Sequence, residues 1–132
     1  MGGTPEEVGY DVSDGPTKNG DGRFDNDRSQ WETKVASDPK RVFELTDRAM
    51  AFMDSCHASA RPFFLQLSHY AVHTNIEATV ASLDVVQTTE PGRRHRHPGM
   101  AGMTMDLDVS LGQLLSKVHE LGLDNNTYVI YM

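Results

Sequence analysis

The predicted fold depends on one stretch, Arg61-Pro-Phe-Phe-Leu-Gln-Leu-Ser-His-Tyr-Ala-Val-His-Thr74. Its first half is a nearly continuous apolar run, which is typical of a strand covered on both faces. Pro62 can begin such a strand, although it could not lie in its middle. The second half is polar and carries two histidines four residues apart, His69 and His73. Open α/β sheets place their chemistry where strands end in polar loops. We therefore predict a strand at about 62–69 and take His73 as the first candidate for a functional residue.

Two helices and a second strand are predicted around this stretch. A helix at about 38–56 can be capped by Ser37 or Asp38 and carries apolar residues on one face. A second helix at about 100–121 has a wide apolar stripe and ends before a glycine. A short apolar run at 127–131 predicts the second buried strand. The order strand, helix, strand predicts a βαβ unit in a mostly parallel sheet with flanking helices, and so an α/β fold.

Three residues of the second predicted helix need a separate explanation. Gly112 lies inside the helix, where glycine costs about 1 kcal/mol relative to alanine. We expect a close contact between helix and sheet to be the reason for it. Asp106 and Asp108 resemble metal ligands, but two residues apart on a helix they point about 200° away from each other. They cannot share one ion, and no metal site is predicted from them.

The composition excludes several classes of protein. The chain has 132 residues, 38% of them hydrophobic, and a formal net charge of −7. An acidic chain does not suit a nucleic-acid partner, which requires a basic surface. No apolar run approaches the roughly 20 residues of a membrane span, so no membrane partner is expected. The amino terminus lacks the basic and apolar regions of a signal peptide. The compartment is left open; a periplasmic or secreted location would require a signal peptide outside this sequence.

Two polar segments separate the predicted elements. Residues 1–36 are rich in Gly, Asp and Asn, which predicts a turn-rich loop; they lack the closing glutamate and flanking helices of an EF-hand. Residues 75–99 are predicted as a long polar loop that ends in the only basic cluster, with Arg93, Arg94 and Arg96. This cluster is either part of a solvated loop or an anion-facing rim of an active site.

Taken together, the residues beyond 36 resemble a sulfatase of the alkaline-phosphatase-like superfamily. Four stretches carry the resemblance, in the family's order. They are Asp38–Phe52, similar to the helix before the middle strand; Pro62–Thr74, similar to the "PFFL…HT" strand and loop; Met103–Gly112, similar to the "M…D.S.G" helix; and Gly122–Ile130, similar to the strand that enters the metal site. The resemblance implies that residues 37–132 are an internal part of a sulfatase catalytic domain.

The resemblance also implies a reaction and its cofactors. Sulfatases hydrolyse sulfate esters of small molecules or carbohydrates with a formylglycine made within a Cys/Ser-x-Pro-x-Arg motif, and Ca²⁺ held by Asp and Asn side chains helps to bind the sulfate. Cys56 precedes His-Ala-Ser-Ala and does not match that motif. The family's first metal-ligand aspartates are expected before residue 1 and its Ser-Asp-Asn-Gly ligands after Tyr131. The chain by itself is therefore expected to be inactive.

Within the chain, His73 alone corresponds to a family active-site position. There a histidine contacts the sulfate and can protonate the leaving alkoxide, a role that suits imidazole because it exchanges protons near neutral pH. His69 and the three arginines Arg93, Arg94 and Arg96 are candidates for substrate binding. Without the resemblance, His73 would be read as a residue that only hydrogen-bonds its loop.

Two other functions remain open from the sequence. The first is a phosphoester or phosphonate hydrolase of the same superfamily, which would use an ordinary Thr or Ser nucleophile and usually two metals. The second is a non-catalytic protein that binds anions through His73 and the basic cluster. The identity of the sulfate ester, the oligomeric state and the nature of the chain, a truncated product or part of a longer frame, are not readable from these residues.

Overall fold

Three α-helices and one short 3₁₀-helix make up the regular structure of the chain. The computed structural model describes residues 4–13, 37–73 and 76–132. The 3₁₀-helix is Glu6–Val8, and the α-helices are α1 (Val42–Ala58), α2 (Val80–Thr88) and α3 (Pro98–Glu120). Helix α3 packs against both α1 and α2, which do not contact each other. The longest helix therefore holds the described part of the chain together.

The predicted α/β fold with a parallel sheet is wrong. Within the described ranges there is no strand at 62–69 or at 127–131, and no sheet. The physical reason is that a strand needs a neighbour to complete its ladder of hydrogen bonds, and these two segments do not pair. Their apolar composition predicted burial on both faces, but Tyr128 is 99% exposed and Phe64 is 74% exposed.

The segment at 62–69 nevertheless keeps the alternation of an extended chain. Phe63, Leu65, Leu67 and His69 are partly buried, and the residues between them are exposed. This period of two is the pattern of an extended backbone with one covered face. The covered face contacts α1, where the rings of Phe63 and Phe52 meet edge to face with centroids 6.0 Å apart. The segment thus carries His69 to the helices without a sheet.

Helix α1 begins four residues later than its predicted start because Asp38 caps it from a distance. The Asp38 carboxylate accepts hydrogen bonds from the backbone N–H groups of Val42 and Glu44, both at 2.8 Å. Arg41, with a left-handed φ of 51°, precedes the first turn and forms a two-point ion pair with Glu44. Burial raises the pKa of the Asp38 carboxyl, against the lowering effect of the amides it accepts. The start of α1 is therefore fixed by charged groups within a partly buried turn.

Helix α2 lies within residues 75–99, which the sequence predicted as a loop. It has only nine residues, and Ser82 is its one buried residue. Such a short helix with little apolar period gives a weak sequence signal. Its start is set by Thr79, whose hydroxyl oxygen accepts a hydrogen bond from the backbone N–H of Ser82 at 3.2 Å. Tertiary contacts with α3, rather than local propensity, explain this helix.

Helix α3 runs from Pro98 to Glu120, close to the predicted 100–121, but it buries a different set of residues. The buried positions are Gly102, Met103, Asp106 and Ser110, and the leucines of the predicted apolar stripe are half-buried or exposed. The close contact expected at Gly112 is absent, because nothing lies within 4 Å of a Cβ built there. It occurs instead at Gly102, where a Cβ would lie 2.7 Å from the Cβ of Ala78.

The described core is small and partly polar. Its buried apolar residues are Val42, Leu45, Ala49, Met53, Cys56 and Met103. Lys40, Arg41, Thr46, Asp106 and Ser110 are buried beside them, so polar contacts carry much of the packing between helices. No helix in the described ranges is both long and apolar enough to cross a membrane. Of the loop predicted at 1–36, residues 1–3 and 14–36 lie outside the described part.

Candidate functional site

His69 joins two buried hydroxyl groups between α1 and α3. Its Nε2 lies 3.1 Å from the Ser110 Oγ and 3.4 Å from the Thr46 Oγ1. The two hydroxyl oxygens are 2.6 Å apart, and the Thr46 hydroxyl donates to the Val42 carbonyl oxygen at 2.7 Å. Thr46 and Ser110 are fully buried, at 0% exposure. The result is a chain of four polar groups that ties the 62–69 segment to both helices.

The Val42 carbonyl oxygen can only accept, so the Thr46 hydroxyl is the donor of the bond between them. Between Thr46 and Ser110 either hydroxyl can donate, and the direction of the bond between Ser110 and His69 Nε2 depends on the tautomer of the ring. Burial also lowers the pKa of this imidazole.

In this geometry His69 has a mainly structural role. Its Nε2 is committed to Ser110, a group that substrate cannot reach, and the ring is partly buried. Of the predicted substrate-binding residues, His69 is thus the one that the structure places in a packed environment. Thr46 and Ser110 were not predicted as its partners. The only sequence signal that could have placed them inward is their spacing on the helices. Thr46 follows Val42 by four residues and Ser110 follows Asp106 by four, so each shares a helix face with another buried residue.

His73, the predicted catalytic residue, lies in a different environment. It ends the tight turn after the extended segment, where its backbone N–H donates to the Tyr70 carbonyl oxygen at 3.0 Å. Its side chain is exposed. Thr74 and Asn75, which follow it, lie outside the described residues. His73 is therefore placed at the surface on the same extended segment that buries His69.

Arg93, Arg94 and Arg96, the other predicted substrate-binding residues, lie in the connection between α2 and α3. All three are exposed. The Arg96 Nε donates to the Gly92 carbonyl oxygen at 3.3 Å, which folds the connection into a local turn. His97 ends the connection, and its Nδ1 accepts the backbone N–H of Met100 at 3.2 Å as the cap of α3. Among the described residues, no hydrogen bond joins His69 to these arginines; its Nε2 contacts the hydroxyl groups of Thr46 and Ser110.

Asp106 is a buried acceptor that the sequence did not predict. Its carboxylate accepts hydrogen bonds from the Thr79 backbone N–H at 2.9 Å, the Thr79 hydroxyl at 2.6 Å and the Ser82 hydroxyl at 2.6 Å. Asp108 is exposed, in agreement with the argument that the two carboxylates diverge on the helix. The Asp106 carboxylate thus joins the start of α2 to α3 through one backbone N–H and two hydroxyl groups.

In the part of the chain that the structure describes, the residues do not fit the two groups that the sulfatase resemblance implies. In residues 4–13, 37–73 and 76–132, no three His, Cys, Asp or Glu side chains gather in a way that could hold a metal ion. Cys56 is 3% exposed, and its neighbours in sequence do not form the formylglycine motif. No chemical step is therefore derived through calcium or formylglycine on this chain.

Comparison with known proteins adds no family. No protein-family model matches the chain, and no curated protein matches it. The resemblance to sulfatases rests on the residues of the four stretches quoted from the sequence.

Proposed function

We propose that this chain is a segment of a sulfuric ester hydrolase in which His73 acts as a general acid. The observation that carries the proposal is the placement of His73, an exposed imidazole on a tight turn directly after an apolar extended segment. A catalytic acid must reach the substrate, and His73 has that access. The other histidine of the motif, His69, has its Nε2 directed into the helices.

The chemistry assigned to His73 is the transfer of one proton. When the sulfur–oxygen bond of a sulfate ester breaks, its electron pair stays on the ester oxygen. The His73 imidazolium gives its proton to that oxygen, so the product leaves as an alcohol rather than an alkoxide. The attacking group is not assigned to this chain, because its cysteine is buried and outside the motif. The chain alone is accordingly expected to give no turnover of aryl sulfates, with or without added calcium.

The first test is the sequence that flanks this frame in its gene. A Cys/Ser-x-Pro-x-Arg motif upstream, followed downstream by Ser-Asp-Asn-Gly, supports the proposal. An ordinary Thr or Ser nucleophile with two sets of metal ligands would assign the phosphoester hydrolase alternative instead.

The second test is His73→Ala in the longer protein, measured on aryl sulfates with good and poor leaving groups. Loss of a general acid is expected to lower kcat by about 10²-fold or more on the poor leaving group and far less on the good one. His57→Ala is the matched control, because His57 is another exposed histidine, at the end of α1. Equal turnover of His73→Ala and the wild type on the poor leaving group would refute the assignment.

A further inference from the structure

The connection between α2 and α3 contains an exposed cationic segment, Gly92–Pro98, which we call the basic segment. Its residues from Gly92 to Pro98 are all exposed. Its three arginines carry +3 in a chain whose formal net charge is −7, so the remaining residues carry −10. The basic segment is thus a small positive surface on an otherwise acidic molecule.

These arginines are not neutralised by the described part of the chain. Within residues 4–13, 37–73 and 76–132, no carboxylate forms an ion pair with Arg93, Arg94 or Arg96. Other cations of the chain do have such partners: Arg41 pairs with Glu44, and Lys117 pairs with Asp54 and Glu120. Adjacent cations that lack a carboxylate raise the local potential and attract anions. An anion that bridges several of them would relieve their mutual repulsion.

We propose that the basic segment binds a polysulfated carbohydrate. A guanidinium group matches a tetrahedral oxyanion with two parallel hydrogen bonds. Each exposed contact of this kind is weak, so the segment suits a ligand that offers several sulfate groups at once rather than a single one. The choice of sulfate rather than phosphate esters rests on the proposed function, but the preference for a polyanion follows from the segment itself.

A nucleic acid fits these residues less well. Between residues 71 and 127 the sequence contains no Phe, Tyr or Trp, so the basic segment and its neighbours in sequence offer none of these rings for stacking bases. The −10 charge of the other residues would also repel a long, densely charged polymer. A short, flexible sulfated oligosaccharide can contact the basic segment alone.

His97 does not belong to the proposed binding groups. Its Nδ1 accepts the Met100 backbone N–H, so the residue is used to start α3. Replacing it would disturb the helix as well as the surface. The test therefore changes only the three arginines and leaves His97 in place.

The test compares two triple variants that remove the same number of positive charges. The first is R93Q/R94Q/R96Q. The control is R48Q/R61Q/K117Q, which removes described cations on α1, after α1 and on α3. The probes are a dextran sulfate oligosaccharide, unsulfated dextran, polyphosphate and an oligothymidylate, and binding is measured by calorimetry at several salt concentrations. Circular dichroism checks that both variants keep their helices.

The wild type and the control are expected to bind dextran sulfate with a strong dependence on salt. The R93Q/R94Q/R96Q variant is expected to bind it at least about tenfold more weakly and with less dependence on salt. Equal weakening in both variants would overturn the proposal, since net charge rather than the basic segment would then explain binding. Tighter binding of oligothymidylate or polyphosphate than of dextran sulfate would overturn the choice of a sulfated carbohydrate. Binding is read by calorimetry and not by turnover, so a failure of the proposed catalytic role of His73 would not change this result.

Discussion

The His69 ring lies against two buried hydroxyl groups, and its Nε2 is 3.1 Å from the Ser110 Oγ. Ser110 is in turn 2.6 Å from the Thr46 Oγ1, which donates to the Val42 carbonyl oxygen. The partial burial of the ring disfavours its charged form and lowers its pKa.

This lowered pKa predicts a pH dependence of stability. The unfolded chain binds a proton at the ordinary histidine pKa of about 6.5, whereas folded His69 binds it only at lower pH. The free energy of unfolding should therefore fall as the pH drops from about 6.5 towards the folded pKa of His69. Above about pH 6.5, where the ring is neutral in both states, the stabilising contribution of His69 is fully present. His69→Gln keeps a donor for Ser110 but does not titrate, so this part of the pH dependence should disappear.

Urea denaturation at a series of pH values checks the prediction. Taking the difference between wild type and His69→Gln cancels the opposite contribution of Asp38, whose burial raises its pKa and which is present in both proteins. His57→Gln, at an exposed position, serves as the control for the replacement of a histidine by glutamine. Parallel curves for the wild type and His69→Gln would contradict the assigned environment.

At the scale of the elements, two of the three glycines of α3, Gly102 and Gly112, show where this helix is closely packed and where it is not. Gly102 faces Ala78 so closely that a methyl group would lie 2.7 Å from its Cβ and 3.3 Å from the Leu83 Cδ2. Ala78 cannot move away as the end of a flexible side chain could, so the start of α2 would have to shift. Gly112 is exposed and has open space around it.

The two glycines therefore give opposite predictions for the same substitution. Gly102→Ala should lower the free energy of unfolding by about 1–3 kcal/mol, because it overpacks the contact between α2 and α3. Gly112→Ala should raise it by up to about 1 kcal/mol through helix propensity. Chemical denaturation of both variants measures the pair, and Gly112→Ala serves as the control for Gly102→Ala. Equal effects in the two variants would show that α2 does not pack on α3 at Gly102.

Helices α1 and α3 were readable from the sequence, whereas α2 and the connections between helices were not. Caps, apolar spacing and the glycine after α3 are local signals, and they placed those two helices to within a few residues. The interior of α3 depends on tertiary contacts: Asp106 and Ser110 are buried because acceptors and donors from α1, α2 and the 62–69 segment meet them there. A pattern that counts only apolar residues cannot find such positions.

At the scale of the whole molecule, the failed prediction of a sheet and the exposed apolar surface have one cause. The segments at 62–69 and 127–131 have the composition of buried strands, and composition alone cannot say whether a neighbouring strand exists to pair with them. The prediction of the candidate site was limited for the same reason. The sequence named His73 as the catalytic candidate and His69 as a substrate-binding candidate, but the contacts of His69 with buried hydroxyl groups depend on which helices meet there.

The exposed apolar surface predicts that the chain associates with itself. Thr127–Met132 is a run of six residues of high β-propensity, without charged side chains or proline. Ile130 in this run is 78% exposed, and Phe64 in the other segment is 74% exposed. Such patches are aggregation sites on a soluble chain. We expect sedimentation of the purified chain to show an average mass that rises with concentration above that of one chain.

The variant Phe64→Lys/Ile130→Lys should lower this association, because each lysine places a charge where apolar surfaces would meet. Val80→Lys/Val85→Lys is the matched control. It introduces the same two charges on α2, outside these segments, at positions that are also exposed, 64% and 48%. Both variants change the net charge equally, so a general effect of charge would act on both. If the control lowers association as much as Phe64→Lys/Ile130→Lys, the apolar segments are not the cause. If only the latter does so while its helix content stays unchanged, the strand-like segments are the surface through which the chain associates.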